Sequence, residues 1–203
     1  MRAPHRPPHV PGRLPIPAQV TPHGPHGGLT HLNALPQATA EDLLLDCCGS
    51  RAWAHRIAAH RPYPDLDALL AASDEAAYDL APADVAEALA CEDLPLPPDA
   101  AGYTAAYTAL AAAHAAYEDR FGHPFVICLD HIAPGEALDH LLAGLRDRLG
   151  NDREEERVLA AEELRRLARG RIARLVRNLP IVRSESPDTA RQQSATNSPY
   201  VPV

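Results

Sequence analysis

The sequence predicts an all-α protein, a single bundle of about seven or eight helices with a disordered tail at each end. Three observations carry that expectation. Apolar residues recur at i, i+3, i+4 and i+7 in one segment after another, and Gly or Pro closes each segment. Alanine supplies 38 of the 203 residues while aromatics make up only 4%, a composition in which small side chains let helices approach closely. Only one run looks strand-like, Phe125-Val126-Ile127-Cys128-Leu129, and nothing near it looks able to pair with it. With 46% hydrophobic residues, the length suits one compact domain plus tails.

The elements follow in chain order. Residues 1–28 hold eight prolines and four histidines without hydrophobic periodicity, so they cannot offset their ordering entropy and read as a disordered tail. His5, His9, His23 and His26 read there as solvated rather than metal-binding. The folded domain is expected over residues 29–183, and residues 184–203, rich in Ser, Pro, Gln and Thr, read as a second tail. Thr39-Ala40-Glu41-Asp42 resembles a capping box opening a short helix that Gly49 ends. Ser50 can cap the next helix, which carries Trp53 and Ile57 and is closed by Pro62 and Pro64. A third runs from Asp65 to Ala72, and Pro82 suits a first helical position ahead of Val85, Ala86 and Leu89. A proline-broken loop spans Cys91 to Pro98, and an Ala-rich helix runs from Ala100 to Arg120 with His114 and Tyr117. The Phe125–Leu129 run then reads as buried extended chain or a helix start. Leu138, Leu141, Leu142, Leu145 and Leu149 mark a helix that Gly150 terminates. Asn151 with Glu154 offers a cap and a reciprocal acid for the last helix, faced by Leu164, Ala168, Ile172, Leu175 and Leu179 until Pro180.

Charge and chemistry exclude a good deal. A net charge of −8 and a pI near 5.7 argue against nucleic acid or an anionic membrane surface as partner. No apolar run approaches the roughly 20 residues of a membrane helix, and no apolar secretory region precedes the domain, so a cytoplasmic location is expected. All 19 basic residues are arginine, which excludes lysine Schiff bases and a P-loop lysine. Cys47, Cys48, Cys91 and Cys128 form no Cys-x-x-Cys pair, so a structural zinc is unsupported. No metal or organic cofactor is indicated. A helical bundle by itself is a scaffold, and periodicity does not give its function.

Four ordered stretches say more. They are Leu32-Asn33-Ala34-Leu35-Pro36; Cys47-Cys48-Gly49-Ser50 with Trp53 and Arg61-Pro62-Tyr63; Tyr117 to Cys128; and Arg148-Leu149-Gly150-Asn151 with Glu154 and later Glu162-Glu163-Leu164. As a set over Leu29 to Val176 the chain resembles the OHCU decarboxylases. These act on 2-oxo-4-hydroxy-4-carboxy-5-ureidoimidazoline in urate breakdown. The resemblance implies an all-helical, cofactor-free carboxy-lyase that gives (S)-allantoin from a small anionic purine-derived ring, and a homodimer. It also implies that the backbone of Phe125, Val126 and Ile127 lies against the ring and that Arg171 on the last helix holds the anion.

The chain departs from the family pattern at the expected catalytic loop. A family helix end is matched by Glu87-Ala88-Leu89-Ala90, but the His-Pro-Arg-Ile-Gly that should follow is Cys91-Glu92-Asp93-Leu94-Pro95. By counting, Glu92 stands where the catalytic His belongs. In the next motif Asp99 takes the place of a Glu, and His114 replaces a family Asn. The expectation is a decarboxylase-like enzyme with Glu92, or failing that His114, handling the proton, Asp99 as its partner and Arg171 as the anion clamp. The other reading is an inactive or repurposed member serving as a small-ligand or dimerisation module. Ser50 and Trp53 read as structural, and the Cys47–Cys48 pair as packing.

Overall fold

Gly49, in the left-handed region at φ 63°, turns the chain directly from α2 (Gln37–Cys48) into α3 (Arg51–Ala59). Ser50 then caps α3, its Oγ accepting the Trp53 N–H at 3.3 Å. The computed structural model describes residues 26–94 and 104–180, and among them are eight α-helices and no strand. The others are α1 (His26–Ala34), α4 (Leu66–Tyr78), α5 (Pro82–Ala90), α6 (Thr104–Phe121), α7 (Ala137–Arg148) and α8 (Arg153–Asn178). A 3-10 turn, Pro134–Glu136, leads into α7. No helix among the described residues is long and apolar enough to cross a membrane.

Several boundaries differ from the sequence reading for physical reasons. The first helix begins at His26, inside the segment assigned to the tail. Glycine makes this possible, because a Cβ on Gly28 would stand 1.7 Å from the Val176 carbonyl oxygen of α8. Helix α2 starts at Gln37, with Pro36 at the cap position and no side-chain cap, so Thr39 lies inside the first turn. The cap of α8 is Asp152, whose carboxylate accepts the N–H groups of Glu154 and Glu155, while Asn151 turns inward. Gly150 keeps a negative φ and follows α7 without a left-handed cap. The Phe125–Leu129 run is extended and unpaired.

The core has two parts. The larger joins Leu32, Leu44, Trp53, Ile57, Leu69 and Leu89 of the first five helices to Leu164 and Ile172 of α8. The smaller joins Leu110 and Tyr117 of α6 to Leu141 and Leu145 of α7 and to Phe125. Each fully buried leucine contributes about 1.5–3 kcal/mol. Val126 faces the larger part and Phe125 the smaller, so the extended segment runs between them with successive side chains on opposite sides. On α8 the buried residues recur every four positions, at Glu156, Ala160, Leu164, Ala168, Ile172 and Val176. Val176 is buried where the sequence reading placed Leu175, which is half-buried with Leu179.

Two polar locks hold the parts in register. In the first, Asn33 and Tyr63 exchange side-chain and backbone hydrogen bonds at 2.9 and 3.0 Å. Beside them Arg61 donates to the carbonyls of Leu32 and Leu35 at the end of α1. In the second, Glu156 is fully buried and accepts from the Tyr117 hydroxyl, from Arg148 and, at 2.8 Å, from Asn151 Nδ2. Arg148 also donates to the Val126 carbonyl at 2.6 Å, which fixes the extended segment. Burial and the hydrogen bond to Glu156 push the Tyr117 phenol well above its ordinary value, so it stays a donor.

Candidate active site

Helix α5 ends at Ala90, and the next two residues run back across the α2–α3 turn. That approach requires a glycine beneath it: a Cβ on Gly49 would lie 2.7 Å from Cys91 Cβ. The close pass carries Glu92 to the flank of α8. Glu92 is buried at 7% exposure, and its two oxygens take Nη1 and Nη2 of Arg171 at 2.6 and 2.7 Å. Arg171 Nη1 also donates to the Cys47 carbonyl at 3.3 Å. The fork-on-fork geometry is the strong form of this contact. The hydrogen bond that Arg171 donates to Glu92, opposed by desolvation, raises the Arg171 pKa. Glu92 and Arg171, singled out separately from sequence, therefore meet.

The floor of this site is dry. Burial pushes the Cys47 thiol up to about 11 and the Cys48 thiol up to about 12. Both side chains pack in the core, as the sequence reading held. Cys91 is exposed, with its Sγ 3.8 Å from the Gly49 carbonyl oxygen.

The other sequence candidates are placed differently. His114 Nε2 accepts the Phe125 N–H at 3.2 Å, leaving Nδ1 to carry the hydrogen toward Glu118, 3.5 Å away. The imidazole thus tethers the extended segment to α6 and is not joined to Glu92 by any hydrogen bond among the described residues. Phe125 and Val126 have fully buried side chains, and the Phe125 N–H and Val126 carbonyl already have side-chain partners. Ile127 is half-buried, and the next N–H, that of Cys128, goes to Glu163 at 2.7 Å. Ile127 is the one residue of this triplet with neither backbone group in a hydrogen bond among the described residues. Asp99 lies outside the described residues. Among those described, no cluster of three or more His, Cys, Asp or Glu could hold a metal ion.

Sequence reasoning missed Glu156. The signal was present: stepping back by fours from Ile172 through Ala168, Leu164 and Ala160 lands on it, inside the acidic run Glu154-Glu155-Glu156. An acid on the apolar stripe of a helix must be paired, and Arg148 and Tyr117 pair it.

The chain matches the family model described as OHCU decarboxylase over residues 33–93 and 99–173. It belongs to the OHCU decarboxylase family. No curated protein sequence matches it. Among solved structures, an OHCU decarboxylase crystallised in the presence of (S)-allantoin superposes with a TM-score of 0.56 at 25% identity, covering 66% of this chain and 97% of that one. An (S)-allantoin synthase superposes with a TM-score of 0.59 at 20% identity, covering 72% of this chain. This chain spans only 53% of that synthase, and the likeness to it speaks for the fold. The match to this OHCU decarboxylase family model includes both Glu92 and Arg171 and is interrupted between residues 93 and 99.

Proposed function

We propose that this chain is a cofactor-free carboxy-lyase of urate breakdown that decarboxylates the ureidoimidazoline to (S)-allantoin with a rewritten site. The observation that supports this reading is the pairing of Glu92 with Arg171 inside a family-matched scaffold. Glu92 stands at the counted position of the catalytic His, and Arg171 at that of the anion-holding Arg. In the reaction the bond from C4 to the carboxylate breaks and releases CO2; its electron pair forms a double bond to the neighbouring carbon while the ring C=N pair moves to nitrogen, which takes a proton from water. Glu92 takes the 4-hydroxyl proton as the C4 carbonyl forms. Returned to one face of the neighbouring carbon, that proton sets the configuration of the product. Arg171 fixes the Glu92 side chain through two hydrogen bonds, and its guanidinium is the group through which an anionic ring is drawn in. Asp99 serves as partner to Glu92, and the free backbone groups of Ile127 are the part of the extended segment open to the ring. The cytoplasmic homodimer implied by the resemblance belongs to the same reading.

The test uses substrate made fresh from urate, with product followed by circular dichroism. Spontaneous decay gives racemic allantoin and no lasting signal. The expected result is a growing (S)-allantoin signal, reduced about 10²–10⁴-fold in Glu92→Gln with the far-UV spectrum unchanged. A trace identical to the blank retires the activity. One observation favours a second reading in that event: Glu92 already occupies both terminal nitrogens of Arg171, as it would in a binding module for a neutral ureido compound. Calorimetric binding of allantoin without turnover would identify that case.

A further inference from the structure

Helix α8 presents a second flank unrelated to Glu92. There a cleft of about 760 Å³ opens between α8, α4 and the segment following Ile127. It is lined by Arg165, Arg166, Arg169, Arg174 and Arg177, five of the nineteen arginines of a chain whose net charge is −8. The titratable groups facing them are Asp74, Asp130 and His131, with Glu162 and Glu163 at the rim. Asp74 takes Arg165 and Arg169 at 2.7 Å each. Glu162 takes both Arg165 and Arg166, and Glu163 also takes Arg166. Asp130 takes one nitrogen of Arg174 at 2.9 Å. Arg177 has no partner among the described residues.

The result is uneven. Arg165 is consumed by neighbouring carboxylates and Arg166 gives them Nε and Nη1, whereas Arg169 and Arg174 each commit one terminal nitrogen and Arg177 none among the described residues. Between the latter three the intervening positions Gly170 and Ala173 carry little or no side chain, and the Asp130 carboxylate lies over Gly170. A Cβ at Gly170 would stand 2.0 Å from Asp130 Oδ2, so a side chain there would displace that carboxylate. Gly170, Ala173, Arg174 and Arg177 share one helical face by their i, i+3, i+4, i+7 spacing. Three guanidinium groups with spare N–H donors, outnumbering the Asp130 carboxylate among them, match a tetrahedral, multiply charged oxyanion, to which arginine forks bind in pairs. The cleft is far larger than one such ion, and Leu70 and Cys128 supply apolar wall, leaving room for an organic body.

We propose that this cleft binds the phosphoryl group of a small phosphorylated ligand through Arg169, Arg174 and Arg177. The proposal does not rest on the decarboxylase reading, since neither Glu92 nor Arg171 lines this cleft. The experiment is calorimetric titration of the full chain at low and physiological salt with adenosine monophosphate, orthophosphate and citrate. Adenosine monophosphate and orthophosphate should bind competitively, and citrate markedly more weakly. Arg174→Gln with Arg177→Gln should weaken adenosine monophosphate binding by about tenfold or more, whereas Arg153→Gln, outside the cleft, should leave it unchanged. The single variant Arg177→Gln, which breaks no contact among the described residues, guards against a folding defect and should weaken binding in the same direction. Tighter binding of the nucleotide than of orthophosphate assigns the site to a phosphate ester, and equal binding assigns it to the free ion. Citrate binding as tightly as the nucleotide, or variants binding the nucleotide as wild type does, would overturn the proposal.

Discussion

Two arginine–carboxylate pairs define this molecule, and they are built for different ends. Arg148 with Glu156 is enclosed: the carboxylate is fully buried, and Tyr117, Asn151 and Arg148 all converge on it. Arg171 with Glu92 is half-open. Its carboxylate side chain is 5% exposed, its guanidinium side chain 32%, and the partners are each other plus one carbonyl. The first joins α6, α7, α8 and the extended segment. The second joins the loop after α5 to α8 and ends at a surface. A fully satisfied buried pair specifies register, while a pair with one open side can exchange its partner for a ligand.

Breaking the enclosed pair should have the largest effect. Arg148→Ala strands a buried carboxylate and releases the Val126 carbonyl, so a loss of about 3–5 kcal/mol is expected in urea denaturation. A loss below about 1 kcal/mol would mean that Glu156 is reached by water and that the two pairs are alike. Glu92→Gln keeps shape and removes one charge beside a guanidinium that solvent can reach, so its cost should be about 1–2 kcal/mol. A cost equal to that of Arg148→Ala would assign Glu92 a structural role.

The smallest effect concerns the thiols beneath the open pair. Burial raises Cys47 and Cys48 from an ordinary 9.0 to about 11 and about 12. A raised value favours the protonated thiol in the fold, so their contribution to stability is complete below pH 9 and fades as pH climbs through those values. At pH 8 iodoacetamide should modify exposed Cys91 and spare Cys47 and Cys48 in peptide mapping. Rapid modification of Cys47 at that pH would show that water reaches the floor under Arg171.

The four stretches that made the family legible are, in the structure, mostly the halves of the two polar locks. Asn33 meets Tyr63 and Arg61 holds the end of α1, while Tyr117, Arg148 and Asn151 meet at Glu156. Scaffold contacts of this kind demand particular side chains at particular spacings, so they can be read along a chain. Helix number and the capping role of Ser50 were legible for the same reason, because spacing and caps are local. What lay beyond the sequence was every relation between distant residues. Glu92 and Arg171 are 79 positions apart, and nothing local states that they meet. His114 stood behind Glu92 as the second candidate for the proton, and only the tertiary structure shows its ring nitrogen accepting the Phe125 N–H. Glu156, five positions from Asn151, seemed one more solvated acid until burial enclosed it. Local propensity and periodicity fix which segments are helices; which charges are desolvated together depends on how those helices close on one another, and only the tertiary structure decides that.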